Sequence, residues 1–118
     1  VLTNTISGAS LSANQITLPA GDYYCEANCP AYQVVRHKSI VRDVTNTVDL
    51  LIGENSYSAT SNPSMTKSTV SGLFTLAGVV ILELRHYTES AITNQGLGSD
   101  VSAGLAEVYS DIKIWKVG

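Results

Sequence analysis

The stretch "GVVILELRHY", residues 78–87, carries the clearest pattern in this chain. One set of alternating positions is apolar and ends in a histidine: Val80, Leu82, Leu84 and His86. The other set begins apolar and becomes charged: Val79, Ile81, Glu83, Arg85 and Tyr87. Alternation of this kind predicts a β-strand with one face in the core. It also raises the question of what covers Val79 and Ile81 on the face that should meet water.

The same two-residue period runs through most of the chain, while helical periodicity is nearly absent. Thr, Val, Ser, Tyr and Ile are abundant, and these residues favour strands. Ala77-Gly78 predicts a tight turn that joins two strands as a hairpin. Segments 53–68 and 88–104 are polar and predict long loops. We therefore expect an all-β fold with short antiparallel strands, a sandwich or a jelly roll.

The length and net charge of the chain limit the number of domains and the kinds of binding partner. A chain of 118 residues predicts a single domain over 1–118, in which 1–15 is a candidate lead-in from a longer protein. The net charge of −3 argues against binding to nucleic acid or to an anionic membrane surface. No apolar run approaches the ~20 residues of a membrane-spanning helix. The chain begins with Val1 and has no signal-peptide pattern, so we expect a fragment or a processed product.

The two cysteines, Cys25 and Cys29, predict buried free thiols. On a strand they share one face at a separation of ~13 Å, whereas a disulfide requires Cα atoms within ~7 Å. A structural zinc site needs about four ligands, and C-x-x-x-C with two distant histidines fits that spacing poorly. We therefore expect no bound metal.

The sequence contains no recognisable catalytic constellation. The nucleophile-elbow motif G-x-S-x-G is absent, and the ten carboxylates are dispersed. His86 is interpreted as a structural histidine on the core face, with a ligand or general-base role as the alternative. His37 lies between Arg36 and Lys38 and predicts a surface or interface position. We expect neither enzymatic activity nor a cofactor.

The apolar residues on the second strand faces favour a homo-oligomer. An interface has an apolar centre and a charged rim, and the pattern of the quoted strand fits both. Covering by residues 1–15 or by a loop is the alternative. The candidate interface residues are Val79, Ile81, Glu83, Arg85, Tyr109 and Trp115.

Five segments, in order, resemble the C-terminal domain of bacteriophage tail-fibre and tail-spike proteins: "LPAGDYYCEANCPAY", "VVRHKSIVRDVT", "DLLIGENSYS", "STVSGLFTLAGVVILELRHY" and "EVYSDIKIWKVG". The likeness covers about residues 16–118. More distantly, the order of the segments is similar to that of the C1q and tumour-necrosis-factor jelly rolls, which are homotrimers. Cys25 and Cys29 depart from the pattern, which has small or apolar residues there.

The resemblance implies a homotrimeric tip domain of a fibre on the virion, folded in the host cytoplasm, that binds a bacterial surface glycan or an outer-membrane receptor. Two alternatives are a trimerisation cap without a ligand and a secreted C1q-like signalling domain. Loops 53–68 and 88–104 carry no family motif, so a site there rests on their own residues.

Sugar recognition combines an aromatic ring for the apolar side of the sugar with short polar groups for its hydroxyls. Tyr57 is the preferred platform, and Tyr32 is a weaker one. The polar candidates near Tyr57 are Asn55, Ser58, Thr60 and Asn62. Those of the second loop are Asn94, Gln95 and Asp100. The alternative is that both loops are simply solvated.

Overall fold

The computed structural model describes residues 4–100, 103–104 and 109–118. Within these residues all regular secondary structure is β-strand, and all strand pairs are antiparallel. The strands are β1 (Ser10–Ser12), β2 (Gln15–Leu18), β3 (Gly21–Ala31), β4 (Val35–Asp43), β5 (Val48–Ile52), β6 (Ser56–Ser58), β7 (Thr66–Leu76), β8 (Val80–Thr88) and β9 (Asp111–Lys116).

The strands form two sheets, an arrangement consistent with a β-sandwich. One sheet has the order β1-β2-β8-β4-β5, and β6 also pairs with β4. The other has the order β7-β3-β9. β4 pairs with β6 through its first residues and with β5 through its last, with an irregular register between Val41 and Arg42.

The core lies between the sheets and follows the predicted alternation. On β3, the inward positions Tyr23, Cys25, Ala27 and Cys29 are all buried. The inward residues of the quoted strand, now β8, pack against them: Val80 and Leu82 are buried and Leu84 lies at the margin. The predicted free thiols are confirmed, since Cys25 and Cys29 are unpaired and buried.

The predicted hairpin at Ala77-Gly78 is wrong. β7 pairs with β3 in one sheet, whereas β8 lies between β2 and β4 in the other. Leu76 and Val80 both point into the core, but from opposite sheets. Residues 77–79 therefore cross the gap of ~10 Å between packed sheets instead of turning back within one sheet.

The prediction for His37 is also wrong, because this residue is only 4% exposed. Its neighbours Arg36 and Lys38 point outward, so the alternation of β4 turns His37 inward. There it meets His86 of β8 and Thr66 of β7. The core-face position predicted for His86 is confirmed by the same contact.

Segment 53–68 is more ordered than the predicted loop. It contains β6, and its last three residues already belong to β7. Tyr57 is therefore a strand residue, placed opposite Arg36. In the second predicted loop, β8 extends to Thr88 and the chain then runs without regular structure to residue 100, while residues 101–102 lie outside the described part.

Candidate functional site

Both predicted loops are attached to the short connection between β3 and β4. The backbone N–H of Tyr32 donates to the carbonyl of Gly96 at 3.1 Å. The backbone N–H of Gln33 donates to the Ser58 hydroxyl at 2.9 Å, and the Gln33 side chain donates to the carbonyl of Thr60. The two loops therefore meet at one end of the sandwich. We call this region, residues 32–33, 53–65 and 89–100, the loop end.

Within the loop end, strand β6 carries an exposed aromatic residue, Tyr57. Its side chain is 56% exposed, and its strand β6 pairs with β4 alone among the described strands. A ring presented on an exposed sheet edge is open to a ligand from above and from the side.

The cross-strand neighbour of Tyr57 is an ordered ion pair. The Arg36 Nε donates to a carboxylate oxygen of Glu89 at 2.8 Å, and a second nitrogen of the same guanidinium binds the other oxygen. These hydrogen bonds lower the pKa of Glu89 to about 2. The pair therefore stays charged at physiological pH, and its fork geometry holds the guanidinium beside β6.

The other polar candidates of the first loop divide into two groups. Asn55 and Asn62 are exposed, and Asn62 adopts a positive φ of 48°. Ser58 is buried, accepts from Gln33 and donates to the carbonyl of Ser64 at 2.7 Å. The hydroxyl of Ser58, a predicted sugar contact, thus lies buried and holds the loop in shape.

The second loop encloses a hollow of about 360 Å³, lined by Ile92, Asn94, Gly96, Leu97, Gly98 and Tyr109. A Cβ added at Gly98 would lie 2.8 Å from the Tyr109 ring, so the chain passes closely over this aromatic. Asn94 of the predicted set lines the hollow, Asp100 lies exposed just beyond it, and Tyr32 is half-buried beside Gly96.

From the sequence, Tyr87 is assigned with Arg85 to an interface rim, and the structure places it near Tyr57. Tyr87 is 72% exposed and lies opposite Lys38, one outward position along β4 from the Arg36–Tyr57 pair. The outer face of the sheet thus presents two tyrosines and two cationic side chains beside the loop end. The alternation of β8 placed Tyr87 outward, but only the register with β4 brings it toward Tyr57.

The residues predicted for an oligomer interface are divided among three places. Val79, Ile81, Glu83 and Arg85 lie along the outer side of the six-stranded sheet. Trp115 lies on the outer side of the three-stranded sheet, opposite Tyr24, and Tyr109 lines the hollow at the loop end.

The outward face of β8 is covered by the chain at Ile81 but not at Val79, just before the strand begins. The turn after β4 runs beside Ile81, whose carbonyl accepts from Val44 and whose N–H donates to the Thr45 hydroxyl. Ile81 is half-buried there, whereas Val79 remains 67% exposed. Glu83 accepts hydrogen bonds from Gln15 and Arg85, both at 2.8 Å, which joins β2 to β8 on this face.

Within the described ranges, no group of three or more His, Cys, Asp or Glu side chains is placed to hold a metal ion. The same part of the chain contains no helix long and apolar enough to cross a membrane. Comparison of the chain with protein-family models and with curated protein sequences gave no match.

Proposed function

We propose that this chain is the tip domain of a bacteriophage tail fibre, which binds a bacterial surface glycan as a homotrimer. The observation that carries the proposal is the exposed ring of Tyr57 beside an ordered Arg36–Glu89 pair, at an end of the molecule where two polar loops meet. An aromatic face and convergent polar groups are what a sugar ring requires.

The strand connectivity supports a jelly roll. β2 pairs with β8 in one sheet, and β3 pairs with β7 in the other, so the β2–β3 segment and the β7–β8 segment run side by side across both sheets. A two-segment ribbon folded over in this way is the basis of the jelly roll. The five segments that resemble the phage domain fall on β3 with the last residue of β2, on β4, on β5–β6, on β7–β8 and on β9.

The outer face of the six-stranded sheet supports oligomerisation. Val79 and the half-buried Ile81 lie beside the Gln15–Glu83–Arg85 hydrogen bonds, as an apolar centre lies beside a polar rim. The two buried free thiols agree with folding in a reducing cytoplasm before release of the virion.

A trimerisation cap without a ligand is the second candidate. It is favoured by the use of Gln33, Ser58 and the Thr60 carbonyl in hydrogen bonds that only hold the loops in place. In this case the loop end stabilises the subunit, and the receptor site belongs to another part of the fibre.

Three variants compared on a glycan array and on host cells separate these candidates. Tyr57→Ala should cut binding sharply, because three weak contacts on a trimer supply avidity that falls when each contact is lost. Tyr57→Phe keeps the ring and should retain most of the binding. The melting temperature of both variants should stay near that of the wild type, because the side chain is exposed.

A third variant replaces residues 91–104 by a short Gly/Ser turn and leaves the Arg36–Glu89 pair in place. If neither this variant nor Tyr57→Ala loses binding, the loop end is not the receptor site. If the wild-type trimer itself binds neither glycans nor host cells, the cap is the better description.

A further inference from the structure

The outer face of the three-stranded sheet carries a second aromatic surface, which the loop end does not include. Tyr24 of β3 lies opposite Leu73 of β7 on one side and Trp115 of β9 on the other. The three side chains therefore form one row across all three strands. Leu73 is 71% exposed and Trp115 is 46% exposed. We call this row the aromatic platform.

The Tyr24 ring lies along the sheet instead of projecting from it. Its hydroxyl donates to the Glu26 carboxylate at 2.9 Å, and Glu26 is two residues farther along the same strand. The Tyr24 side chain is half-buried in this position. The Trp115 ring lies beside it, with the ring centroids 5.7 Å apart and the planes inclined by 32°. The two rings therefore contact each other and form one aromatic pair on the outer face of this sheet.

Hydrogen-bonding groups flank the platform on both sides, about 7 Å away along the strands. On one side lie Ser71, Glu26 and Lys113, paired across the sheet. On the other side lies Asp22, which accepts a hydrogen bond from the Thr75 hydroxyl at 2.6 Å. The face therefore has an apolar strip across the strands, with Ser71, Glu26 and Lys113 on one side. Thr75, Asp22 and the exposed Val117, whose N–H donates to the Asp22 carbonyl, lie on the other side.

We propose that the aromatic platform is a second carbohydrate-binding surface, which takes neutral oligosaccharides. The apolar faces of sugar rings would stack on Tyr24, Trp115 and Leu73. Their hydroxyls would donate to Glu26 and Asp22 and exchange hydrogen bonds with Ser71 and Thr75. This surface shares no residue with the loop end and extends glycan binding to the opposite sheet.

The charged and hydroxyl groups beside the strip favour a sugar over a protein partner. The polar rows on either side carry charges that a protein contact would have to desolvate.

The charges of the flanking rows select the class of sugar. The positions next to the platform carry two carboxylates, Asp22 and Glu26, and one ammonium, Lys113. The Lys113 Nζ also lies 3.7 Å from a carboxylate oxygen of Asp111. The local field is therefore negative, and it repels sugars that bear carboxylate or sulfate groups.

Binding to the aromatic platform can be followed by tryptophan fluorescence, because Trp115 is the single tryptophan of the chain. The intact protein is titrated with cello-, manno-, chito- and galacto-oligosaccharides and with an oligomer of uronic acid, while tryptophan emission is recorded. At least one neutral oligomer should shift or quench the emission in a saturable way, and the uronic acid oligomer should not.

Matched variants locate the response. Tyr24→Ala should weaken the affinity for that neutral oligomer by about tenfold. Glu26→Gln should weaken it less, because it retains an acceptor oxygen. Tyr57→Ala lies on the other sheet and should leave the titration unchanged. Calorimetry with Trp115→Ala, which has no tryptophan emission, should confirm the loss of binding.

Two results would overturn the proposal. One is an unchanged emission with every neutral oligomer at millimolar concentration. The other is a lower oligomer mass for Leu73→Glu or Trp115→Ala, which would make this face a subunit contact. If the loop end is not a glycan site, Tyr57→Ala binds cells as strongly as the wild type. This result differs from both results above, so the loop-end site and the aromatic platform are tested separately.

Discussion

The Nδ1 atom of His37 lies 2.9 Å from the Nε2 atom of His86, inside the sandwich beneath the loop end. The other ring nitrogen of His37 lies 2.7 Å from the Thr66 hydroxyl. Only one of the two facing nitrogens can carry the proton of the hydrogen bond. A second proton between the rings would place two N–H donors against each other and leave one ring as a partly buried imidazolium.

This pair predicts a loss of stability in mild acid. Burial lowers the pKa of both histidines, that of His86 to about 4, with the His37 charge as a further cause. The unfolded chain therefore binds more protons than the folded chain below pH ~6.5, and stability falls as the pH drops from there toward about 4. We expect a loss of roughly 1 kcal/mol between pH 7 and pH 5, reduced from the full linkage value by partial exposure of His86.

Thermal unfolding at a series of pH values checks this. The double variant His37→Gln/His86→Gln should show a flatter profile in the same window, since neither residue then titrates. An equally steep profile in the double variant would assign the acid sensitivity to other groups.

The thiols should be inert in the folded protein. Burial, with a smaller effect of a neighbouring carboxylate, raises the pKa of Cys25 to about 12 and that of Cys29 to about 11. Thiolate, the reactive form, is therefore scarce at neutral pH. Labelling with a thiol reagent should be slow under native conditions and should reach two groups per chain in denaturant. An intact mass lower by two hydrogens would instead reveal a disulfide.

Gly53 should tolerate no side chain. A Cβ at this position would collide with the Ser39 hydroxyl and lie 2.8 Å from the Ser39 carbonyl, which accepts the Gly53 N–H. Ser39 is itself fixed to Ser68, whose hydroxyl accepts the Ser39 N–H at 2.8 Å. Gly53→Ala should therefore lower the free energy of unfolding by about 1–3 kcal/mol.

The matched control is Gly78→Ala, because a Cβ there meets no atom within 4 Å. This change should alter stability by less than about 0.5 kcal/mol. Chemical denaturation of both variants gives the comparison, and equal effects would contradict the close approach of Gly53 to β4.

The predicted homotrimer can be tested with a substitution on the outer face of the six-stranded sheet. Burial of an aliphatic side chain contributes about 1.5–3 kcal/mol, so Val79→Glu should shift a trimer toward monomer. Light scattering after gel filtration measures the mass. Leu73→Glu, a charge placed on the opposite sheet, should leave the trimer intact. A monomer mass for the wild type at micromolar concentration would end the trimer hypothesis.

The strands and the core could be predicted well from the sequence. Apolar and polar residues alternate along β3, β4, β7 and β8, and burial follows the same two-residue period. The sequence could not distinguish a hairpin from a crossing at residues 77–79, since both keep the same alternation on each side. His37 shows a different error: two charged neighbours suggested a surface, although the alternation itself directed the residue inward.

The candidate sites were less predictable, because they depend on pairing between distant segments. β6 has three residues, too few to carry a periodic signal, and its pairing with β4 is what sets Tyr57 beside Arg36. The two-residue alternation directs Tyr24 and Trp115 outward, yet only the register of β3 with β9 makes them neighbours.

The position of β9 in the three-stranded sheet also bears on how the chain acquires its fold. β3, one of the first strands, pairs Cys25 with Gly72 on one side and with Ile114 on the other. Both partners come much later in synthesis, so β3 emerges from the ribosome with two open edges and no neighbour of its own sheet. Such long-range pairing makes folding slow and exposes the nascent chain to aggregation until residues 111–116 arrive. Efficient production of this protein should therefore depend on a low concentration of incomplete chains or on chaperones that shield β3 until its last partner strand is made.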